Sequence, residues 1–381
     1  MLTGMPLPDD AHCMKKVVVT FVLPGNNWSG GVRVTVLMGN LLLERGHRIR
    51  IVHPKPRFHP WGNLSSFLSQ PKRILVGRQA KGWLETFAGK IEQYRDINEL
   101  EFEQHEIVIG VGTYMVPQLQ NLRAGHVTKV RYNHGFPARM TDEYRAAWSL
   151  SMPTITVSKT LVPQLERLSA EKVRAVIPNG IDIAQYHPVA GVKRDAIGTI
   201  FSLHPNKAPQ DIIRLVNRVA EVLPDTPRLV FSTERRPREL VECCYEQCPP
   251  IDRVRETYSR SLIWLLASHT EGLPGPVLEA MACGAVVIST DNDGSVEVIQ
   301  DGVNGLIVPK SDFDAFMEKI RLVLSDDTLR KRLAQGGFET VKKYTWANAA
   351  DRMEEFLDEI SRETEMKTRQ NSRVSASGQS E

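Results

Sequence analysis

Two glutamates flank a bend that is built from glycine and proline. The stretch EGLPGPVLEAMACG begins at Glu271 and carries its second acid at Glu279. The apolar run SLIWLLAS before it predicts a buried strand, and Pro276 suits the first turn of a helix. Glu271 should therefore lie in a loop and Glu279 on the helix that follows. A carboxylate can accept hydrogen bonds from both hydroxyls of a vicinal diol such as a ribose, and a second carboxylate suits a sugar hydroxyl.

The main chain between the two acids adds a second kind of binding group. N–H groups at the start of a helix point outward and favour an anion such as a diphosphate. The alternative is that the helix dipole simply favours Glu279 as a first-turn acid, while Glu271 is a solvated loop residue. The two acids by themselves leave both interpretations open.

A pair of glycines offers another candidate for phosphate binding. Gly30 and Gly31, in WSGGVRV, stand between the first predicted strand and the first long helix. They allow close approach of a ligand to the backbone, and the helix start supplies N–H groups. The pattern is not GxGxxG, and a plain tight turn remains an alternative.

The elements that position these residues alternate in a regular order. KVVVTFVLP predicts a buried strand, and VRVTVLMGNLLLERGH predicts a helix with Gly46 in the C′ position. Strands and helices then alternate, and the rhythm restarts after a seam near residues 186–195. We therefore predict an α/β fold of two Rossmann-like doubly wound domains that face each other across a cleft. Such sheets bind ligands outside the carboxyl ends of their strands.

Length and composition fit this organisation. The chain has 381 residues, of which 41% are apolar and 24% charged, with a net charge of +3. Two domains are expected at this length, and the charge balance argues against nucleic acid as a partner. We predict the following divisions: a disordered extension 1–15, an N-terminal acceptor-side domain 16–190, a C-terminal donor-nucleotide domain 191–345, a helix 346–362 that crosses back to the first domain, and a disordered tail 363–381.

The cysteines suggest ordinary reduced thiols. Cys243, Cys244 and Cys248 lie close together in CCYEQC, but no fourth ligand stands at a suitable spacing for zinc. No apolar stretch is long enough to span a bilayer, and the N-terminus has no signal-peptide pattern. We therefore expect a cytoplasmic protein.

Residues 57–100 fit the alternation poorly. From Lys55 to Lys90 the segment carries seven lysines and arginines against one acid, Glu85. A solvated insertion is the simpler interpretation. The alternative is a surface that contacts the acceptor or the anionic lipid of a membrane.

The stretch EGLPGPVLEAMACG resembles the E-x7-E signature of the retaining glycosyltransferases of the GT4 family, whose fold is GT-B. VIPNGIDIAQYHP, DNDGSVEVIQDGVNGLIVP and YTWANAADRMEEFLDEI are similar to further segments of that family, in the same order. The resemblance covers nearly the whole chain and is weakest in residues 57–100.

The resemblance implies roles for particular residues. Glu271 would contact the transferred sugar, with the main chain of Leu273, Pro274 and Gly275 around it. Glu279 would hold the ribose of the donor. The remaining matches are at the donor diphosphate, by Gly30, Gly31 and Lys207; beside the reacting sugar, by His134; and near the domain joint, by Asn179 and Gly180, which suit a turn.

One departure from the family concerns the diphosphate. The family pattern GRLxxxKG is FSLHPNKA here, with Lys207 at the lysine, Ser202 at the arginine and Ala208 at the last glycine. The bidentate charge of the arginine is therefore missing. Arg33, Arg235 and Arg236 are candidates to replace it. DNDGSVEV also departs from the family, with Asp293 at a glycine and Val296 at a proline.

The resemblance implies an enzyme that moves a sugar from a nucleoside diphosphate sugar to an acceptor hydroxyl with retention. No metal or other cofactor is expected, since a cationic residue and main-chain dipoles can stabilise the departing diphosphate in place of a divalent ion. The expected acceptor is a glycan or a lipid-linked glycan of the cell surface, with contact to the inner face of the membrane. The alternative is a non-catalytic nucleotide-sugar-binding protein of a glycan assembly complex.

Overall fold

The computed structural model describes residues 15–26, 29–55, 82–112, 115–136, 140–169 and 171–377, and side chains up to Gln370. The predicted disordered extension 1–15 lies outside these residues, except for Lys15. Most of the predicted basic segment, residues 56–81, also lies outside them.

The first strand and helix form as the sequence predicts. β1 (Val18–Val22) is buried from its second residue onward. α1 (Gly30–Glu44) begins after the N-cap Ser29, whose hydroxyl accepts a hydrogen bond from Val32 N. The helix is followed by Gly46, which has a φ of +88°. Glycine adopts this left-handed conformation without the steric penalty of a Cβ, so the predicted C′ position is confirmed.

Two sheets organise the fold, and their registered pairs are all parallel. The first has the strand order β3–β2–β1–β4–β5–β6–β7, and the second has the order β10–β9–β8–β11–β12–β13. In chain order the remaining strands are β2 (Arg48–Pro54), β3 (Lys90–Tyr94), β4 (Ile107–Val111), β5 (Thr128–Asn133), β6 (Thr154–Thr156), β7 (Val173–Val176), β8 (Ala196–Ile200), β9 (Arg228–Ser232), β10 (Cys244–Gln247), β11 (Ser261–Leu266), β12 (Val286–Thr290) and β13 (Leu306–Val308). The predicted α/β architecture of two parallel sheets is confirmed.

The helices that follow α1 connect these strands or extend beyond them. They are α2 (Val116–Gln120), α3 (Asp142–Ser149), α4 (Val162–Leu168), α5 (Pro209–Val222), α6 (Ile251–Arg260), α7 (Gly275–Ala282), α8 (Asp293–Val298), α9 (Phe313–Ser325), α10 (Asp327–Val341) and α11 (Trp346–Ser377).

The chain divides into two compact units. The first contains the described residues of 1–110, 121–130 and 350–381, and the second contains those of 111–120 and 131–349. The second unit therefore includes half of β5, all of β6 and β7, and the whole second sheet. The candidate residues from His134 to Glu279 all belong to it.

In the first unit, α11 is fixed by a buried carboxylate. Glu354 accepts a hydrogen bond from Arg45 and is 2.7 Å from Nε2 of His47. Burial acts to raise the pKa of Glu354, but the hydrogen bonds from His47 and Arg45 outweigh it and the pKa is lowered. The charged carboxylate therefore stabilises the contact between α11 and the residues that follow α1.

The core of the second sheet holds its strand ends in place. Trp264 and Ile288, on neighbouring strands, are 0% exposed. The aromatic ring of Trp264 packs against Tyr258 of α6 with a centroid separation of 4.4 Å. Because β8 and β11 are adjacent and parallel, the loops after Ile200 and Leu266 leave the same edge of the sheet.

Candidate functional site

Two loops at this edge meet in an ion pair. Nζ of Lys207, in the loop after β8, donates to both carboxylate oxygens of Glu271, in the loop after β11, at 2.6 and 2.8 Å. The side chain of Glu271 is 8% exposed and that of Lys207 is 31% exposed. A buried carboxylate requires such a partner, because removing a charge from water without compensation is costly. The pair therefore holds one positively charged and one negatively charged side chain in direct contact.

The backbone fixes Lys207 at the end of a short turn. Residues Pro205–Lys207 form a 3₁₀ turn, and Ala208 after it has a left-handed φ of 47°. The carbonyl of Asn206 accepts a hydrogen bond from the main-chain N–H of His269, at 2.9 Å. This bond joins the β8 loop to the loop that carries Glu271.

The loop that carries Glu271 also packs against the end of β5. An ideal Cβ on Gly272 would lie 2.0 Å from the carbonyl oxygen of His134 and 3.2 Å from a methyl group of Val157. Only a residue without a side chain allows this approach. Nδ2 of Asn206 also donates to the carbonyl of Phe136, at 2.7 Å. The end of β5 is thus in contact with both loops of the ion pair.

Glu279 has a partner that the sequence did not reveal. It lies on α7, is 7% exposed, and accepts a hydrogen bond from the hydroxyl of Tyr258 at 2.8 Å. Burial, together with the charge of Glu279, raises the pKa of Tyr258 well above its usual value. The phenol therefore keeps its proton and orients the carboxylate. No sequence period links these residues, since they are 21 positions apart on different helices.

Replacing Tyr258 by Phe should lower the free energy of unfolding by about 1–3 kcal/mol, because a buried carboxylate loses a donor. Chemical denaturation measures this change. Tyr132→Phe is the matched control, because the Tyr132 hydroxyl is buried without a partner among the described residues. We expect that control to leave stability unchanged or to raise it. Equal losses in both variants would contradict the orienting role of Tyr258.

His134 presents a neutral ring. Its Nε2 is buried without a hydrogen-bond partner in the described part of the chain, although the residue is partly exposed. Desolvation lowers the pKa of His134 to about 4. The ring packs against Tyr132 with a centroid separation of 4.2 Å. At neutral pH, His134 can therefore exchange a hydrogen bond with a ligand but carries no charge.

The remaining predicted donor-binding residues lie in both units. Gly30 and Gly31 begin α1 in the first unit, and a Cβ on Gly30 would have no atom within 4 Å. Leu273 and Pro274 are buried in the second unit, and Gly275 begins α7. Because proline has no N–H, Leu273 and Gly275 supply the main-chain donors that the sequence placed between Leu273 and Pro276.

Asn179 and Gly180, which the resemblance placed near the domain joint, make structural contacts. Nδ2 of Asn179 is 3.4 Å from the carbonyl oxygen of Leu273, to which it donates. An ideal Cβ on Gly180 would lie 2.4 Å from the backbone nitrogen of Trp346. Both residues therefore shape the chain around the site.

Arg33 and Arg236, two of the candidates to replace the missing arginine, have partners of their own among the described residues. The hydroxyl of Ser202 accepts a hydrogen bond from the main-chain N–H of His204, at 3.2 Å. Arg33 lies over the ring of Trp83, 5.2 Å from its centroid. Arg236 donates to the carbonyl of Leu240, and Arg235 is exposed in the same loop. The loop after β9 that carries both arginines follows a strand adjacent to β8.

The described residues hold neither a cluster of metal ligands nor a membrane-spanning helix. Among them, no group of three or more His, Cys, Asp or Glu side chains is arranged to hold a metal ion. Cys243, Cys244 and Cys248 are free thiols. Within the same residues, no helix is both long and apolar enough to cross a membrane.

Comparison with known proteins gives one family match. Residues 245–340 match the family model of the glycosyl transferases group 1. This segment contains Tyr258, Glu271 and Glu279.

Two curated relatives are similar over part of their length. The chain is 30% identical to the D-inositol 3-phosphate glycosyltransferase of Xylanimonas cellulosilytica over 47% of its own length and 49% of that protein. It is 35% identical to the N,N'-diacetylbacillosaminyl-diphospho-undecaprenol alpha-1,3-N-acetylgalactosaminyltransferase of Campylobacter jejuni over 26% of each chain. The match thus spans about half of the first relative and a quarter of the second.

Among solved structures, Anabaena HepE in complex with UDP-glucose has a similar fold. It superposes with a TM-score of 0.70 at 13% identity, and the match covers 90% of this chain and 99% of HepE. The fold of two parallel α/β sheets is GT-B, as the sequence resemblance implied.

Proposed function

Because residues 245–340 match the glycosyl transferases group 1 and the fold is GT-B, we propose that this protein transfers a sugar from a nucleoside diphosphate sugar to an acceptor hydroxyl. The Lys207–Glu271 ion pair, with its buried carboxylate, is the observation that carries this proposal. It combines a cation for a departing diphosphate with an acid for the sugar. Glu279, oriented by Tyr258, supplies the carboxylate for the ribose.

The chemical barrier lies in separating charge. As the glycosidic bond breaks, the sugar becomes oxocarbenium-like and negative charge collects on the diphosphate. Lys207 and the start of α7 stabilise that negative charge, while Glu271 stabilises the sugar. Groups held in place before the reaction are effective because they need no reorganisation during it.

We propose that the anomeric configuration is retained and that no metal takes part. An oxygen of the donor phosphate is the base for the acceptor hydroxyl, which attacks from the face that the diphosphate leaves. Neither glutamate is then a covalent nucleophile. Proton NMR of the first product formed distinguishes retention from inversion, and activity in EDTA tests the role of metal.

A thermal-shift panel of UDP, GDP, dTDP, ADP and their sugars tests donor binding. A ligand at 100 times its Kd stabilises the folded state by about 2.7 kcal/mol. We expect one nucleotide to raise Tm equally with magnesium and with EDTA. UDP-glucose is the first ligand to test, since HepE was solved with it. Absence of any shift would contradict donor binding.

The acceptor belongs to the same proposal. We propose a glycan or a lipid-linked glycan of the cell surface, since the Campylobacter relative is named for an undecaprenol-linked acceptor. The protein would then act in the cytoplasm, in peripheral contact with the inner face of the membrane. Co-sedimentation with anionic vesicles tests that contact.

The alternative from the sequence is a non-catalytic nucleotide-sugar-binding protein, suggested by Ser202 at the usual arginine position, but the relatives, which are named for sugar transfer, support the enzyme. Measuring the release of nucleoside diphosphate distinguishes the enzyme from the binding protein. Release that depends on added acceptor supports transfer, whereas tight binding of the sugar nucleotide without release supports the binding protein.

A further inference from the structure

A second cluster of polar side chains lies at the sheet edge that carries the ion pair. Asp211, in the first turn of α5, is 8% exposed. Its Oδ2 accepts a hydrogen bond from the hydroxyl of Ser311, in the loop after β13, at 2.7 Å. Nε2 of His269, in the loop after β11, lies 2.7 Å from the same oxygen. Because an ionised carboxylate only accepts hydrogen bonds, Nε2 is the donor.

The cluster is neither a helix cap nor a hydrolytic triad. An acid in the first turn suits the helix dipole, but both side-chain donors to Asp211 come from outside α5. In a triad, the serine and the carboxylate bind opposite nitrogens of the histidine. Here Ser311 and Asp211 both lie at Nε2 of His269, at 3.2 and 2.7 Å. The arrangement therefore joins separate segments of the chain and does not activate a nucleophile.

The Asp211–His269 bond joins the same two segments as the ion pair. Lys207 stands four positions before Asp211, at the turn that leads into α5. His269 stands two positions before Glu271, and its main-chain N–H donates to the carbonyl of Asn206 at 2.9 Å. A displacement of His269 would therefore also displace the carboxylate of Glu271.

Donor binding changes the other link between these segments. On the proposed function, Lys207 binds the diphosphate and Glu271 contacts the sugar. Both side chains then exchange their mutual hydrogen bonds for contacts with the substrate. We propose that Asp211 and His269 are positioning residues, a role that rests on the proposed function. Their bond keeps the Glu271 loop in place against α5 after the ion pair has opened, and neither residue needs to touch the donor.

Two substitutions at His269 test whether this bond matters for turnover. His269→Gln keeps the donor, because the amide nitrogen of glutamine reaches as far as Nε2 of histidine. Asparagine is one methylene shorter and does not reach Asp211. We expect kcat of His269→Asn to fall about tenfold to a hundredfold, as for a reacting group displaced by up to about 1 Å. His269→Gln should stay within about threefold of the wild type.

The readout is release of UDP from UDP-glucose, or of the nucleoside diphosphate from the sugar nucleotide that the thermal-shift panel selects. Water serves as the acceptor, and a glycan can be added. His187→Asn is the matched control, because it makes the same substitution at an exposed histidine of the same unit. We expect this control to leave kcat unchanged.

Two further measurements distinguish positioning from a general loss of structure. Calorimetric titration of His269→Asn with the nucleoside diphosphate should give a Kd within about threefold of the wild type, because Lys207 remains available to the phosphates. Adding His269→Asn to Glu271→Gln should lower kcat by at most about threefold, since the carboxylate to be positioned is already absent. Equal fold losses in both backgrounds would show that His269 acts independently of Glu271 and would overturn the inference.

Asp211→Asn tests the same bond from its other end and keeps the shape of a buried side chain. A neutral amide accepts a weaker hydrogen bond than a carboxylate, so kcat should fall about threefold to tenfold. Unchanged turnover in this variant would overturn the positioning role even if His269→Asn did not fold.

The possible outcomes separate the positioning role from the proposed function. Equal turnover of His269→Asn and His269→Gln would overturn the role of the Asp211–His269 bond and leave the proposed function standing. Failure of the wild-type protein to release nucleoside diphosphate, with water or with added glycan, would overturn the proposed function and with it the positioning role.

Discussion

Glu271→Gln should lower kcat by about a hundredfold to a thousandfold, the loss typical of a removed electrostatic contact in a reaction centre. The amide keeps the shape of the side chain but no longer stabilises a positively charged sugar. Nucleoside diphosphate should bind at least as tightly as before. In the wild-type protein Lys207 donates to both carboxylate oxygens of Glu271, and the substitution removes that negative charge. Steady-state kinetics and calorimetry measure the two effects.

Lys207→Gln provides the opposite half of a double-mutant cycle. It leaves the carboxylate of Glu271, 8% exposed, without its cation. We therefore expect this single variant to be less stable and to bind nucleoside diphosphate more weakly. The double variant should be more stable than the sum of the two single effects, because neither charge is left alone. An unchanged kcat in Glu271→Gln would show that Glu271 does not stabilise the reacting sugar.

The central strands could be predicted because they are buried on both faces. β1 and β12 show near-continuous apolar runs with β-branched residues, and the structure buries almost all of their residues. The glycine after α1 could be predicted because its left-handed conformation has few alternatives among the amino acids. Together these signals were sufficient for the fold class.

The edge strands were missed for the opposite reason. β3, KIEQY, and β10, CYEQ, stand at the ends of the two sheets. Each has one neighbouring strand and is largely exposed or half-buried, so neither needs an apolar run. The sequence therefore showed only a poorly fitting segment and a cysteine cluster.

The last helix extends further than predicted. α11 continues to Ser377, whereas the sequence analysis placed its end at residue 362. The extension contains no glycine or proline before Gly378, and its Glu, Lys, Arg and Gln residues favour helix. Polarity alone was therefore a poor guide to where the helix ends.

The sequence predicted the residues of the site better than it predicted the contacts between them. Local spacing and the family resemblance identified Glu271, Glu279 and Lys207. The ion pair joins residues 64 positions apart, and the Tyr258 contact crosses from α6 to α7. Such contacts depend on strand order, which no local pattern encodes.

The approach of Gly272 to β5 predicts a large effect from a small substitution. In Gly272→Ala the new methyl group would lie 2.0 Å from the carbonyl oxygen of His134. This oxygen belongs to the backbone, so the clash cannot be relieved by a change of side-chain rotamer. We expect the free energy of unfolding to fall by about 3 kcal/mol or more, at the upper end for overpacked sites. Denaturant titration measures the loss.

Activity should fall with stability, because the same loop carries Glu271. A displacement of about 1 Å in a reacting group can lower turnover about a hundredfold. Gly275→Ala is the matched control three residues away, where a Cβ would meet only Oε1 of Glu279, at 3.8 Å. Alanine there also favours the first turn of α7, so its stability should be unchanged or higher. If Gly272→Ala were as stable as Gly275→Ala, the loop would not rest on the end of β5, and Glu271 would need another explanation for its position.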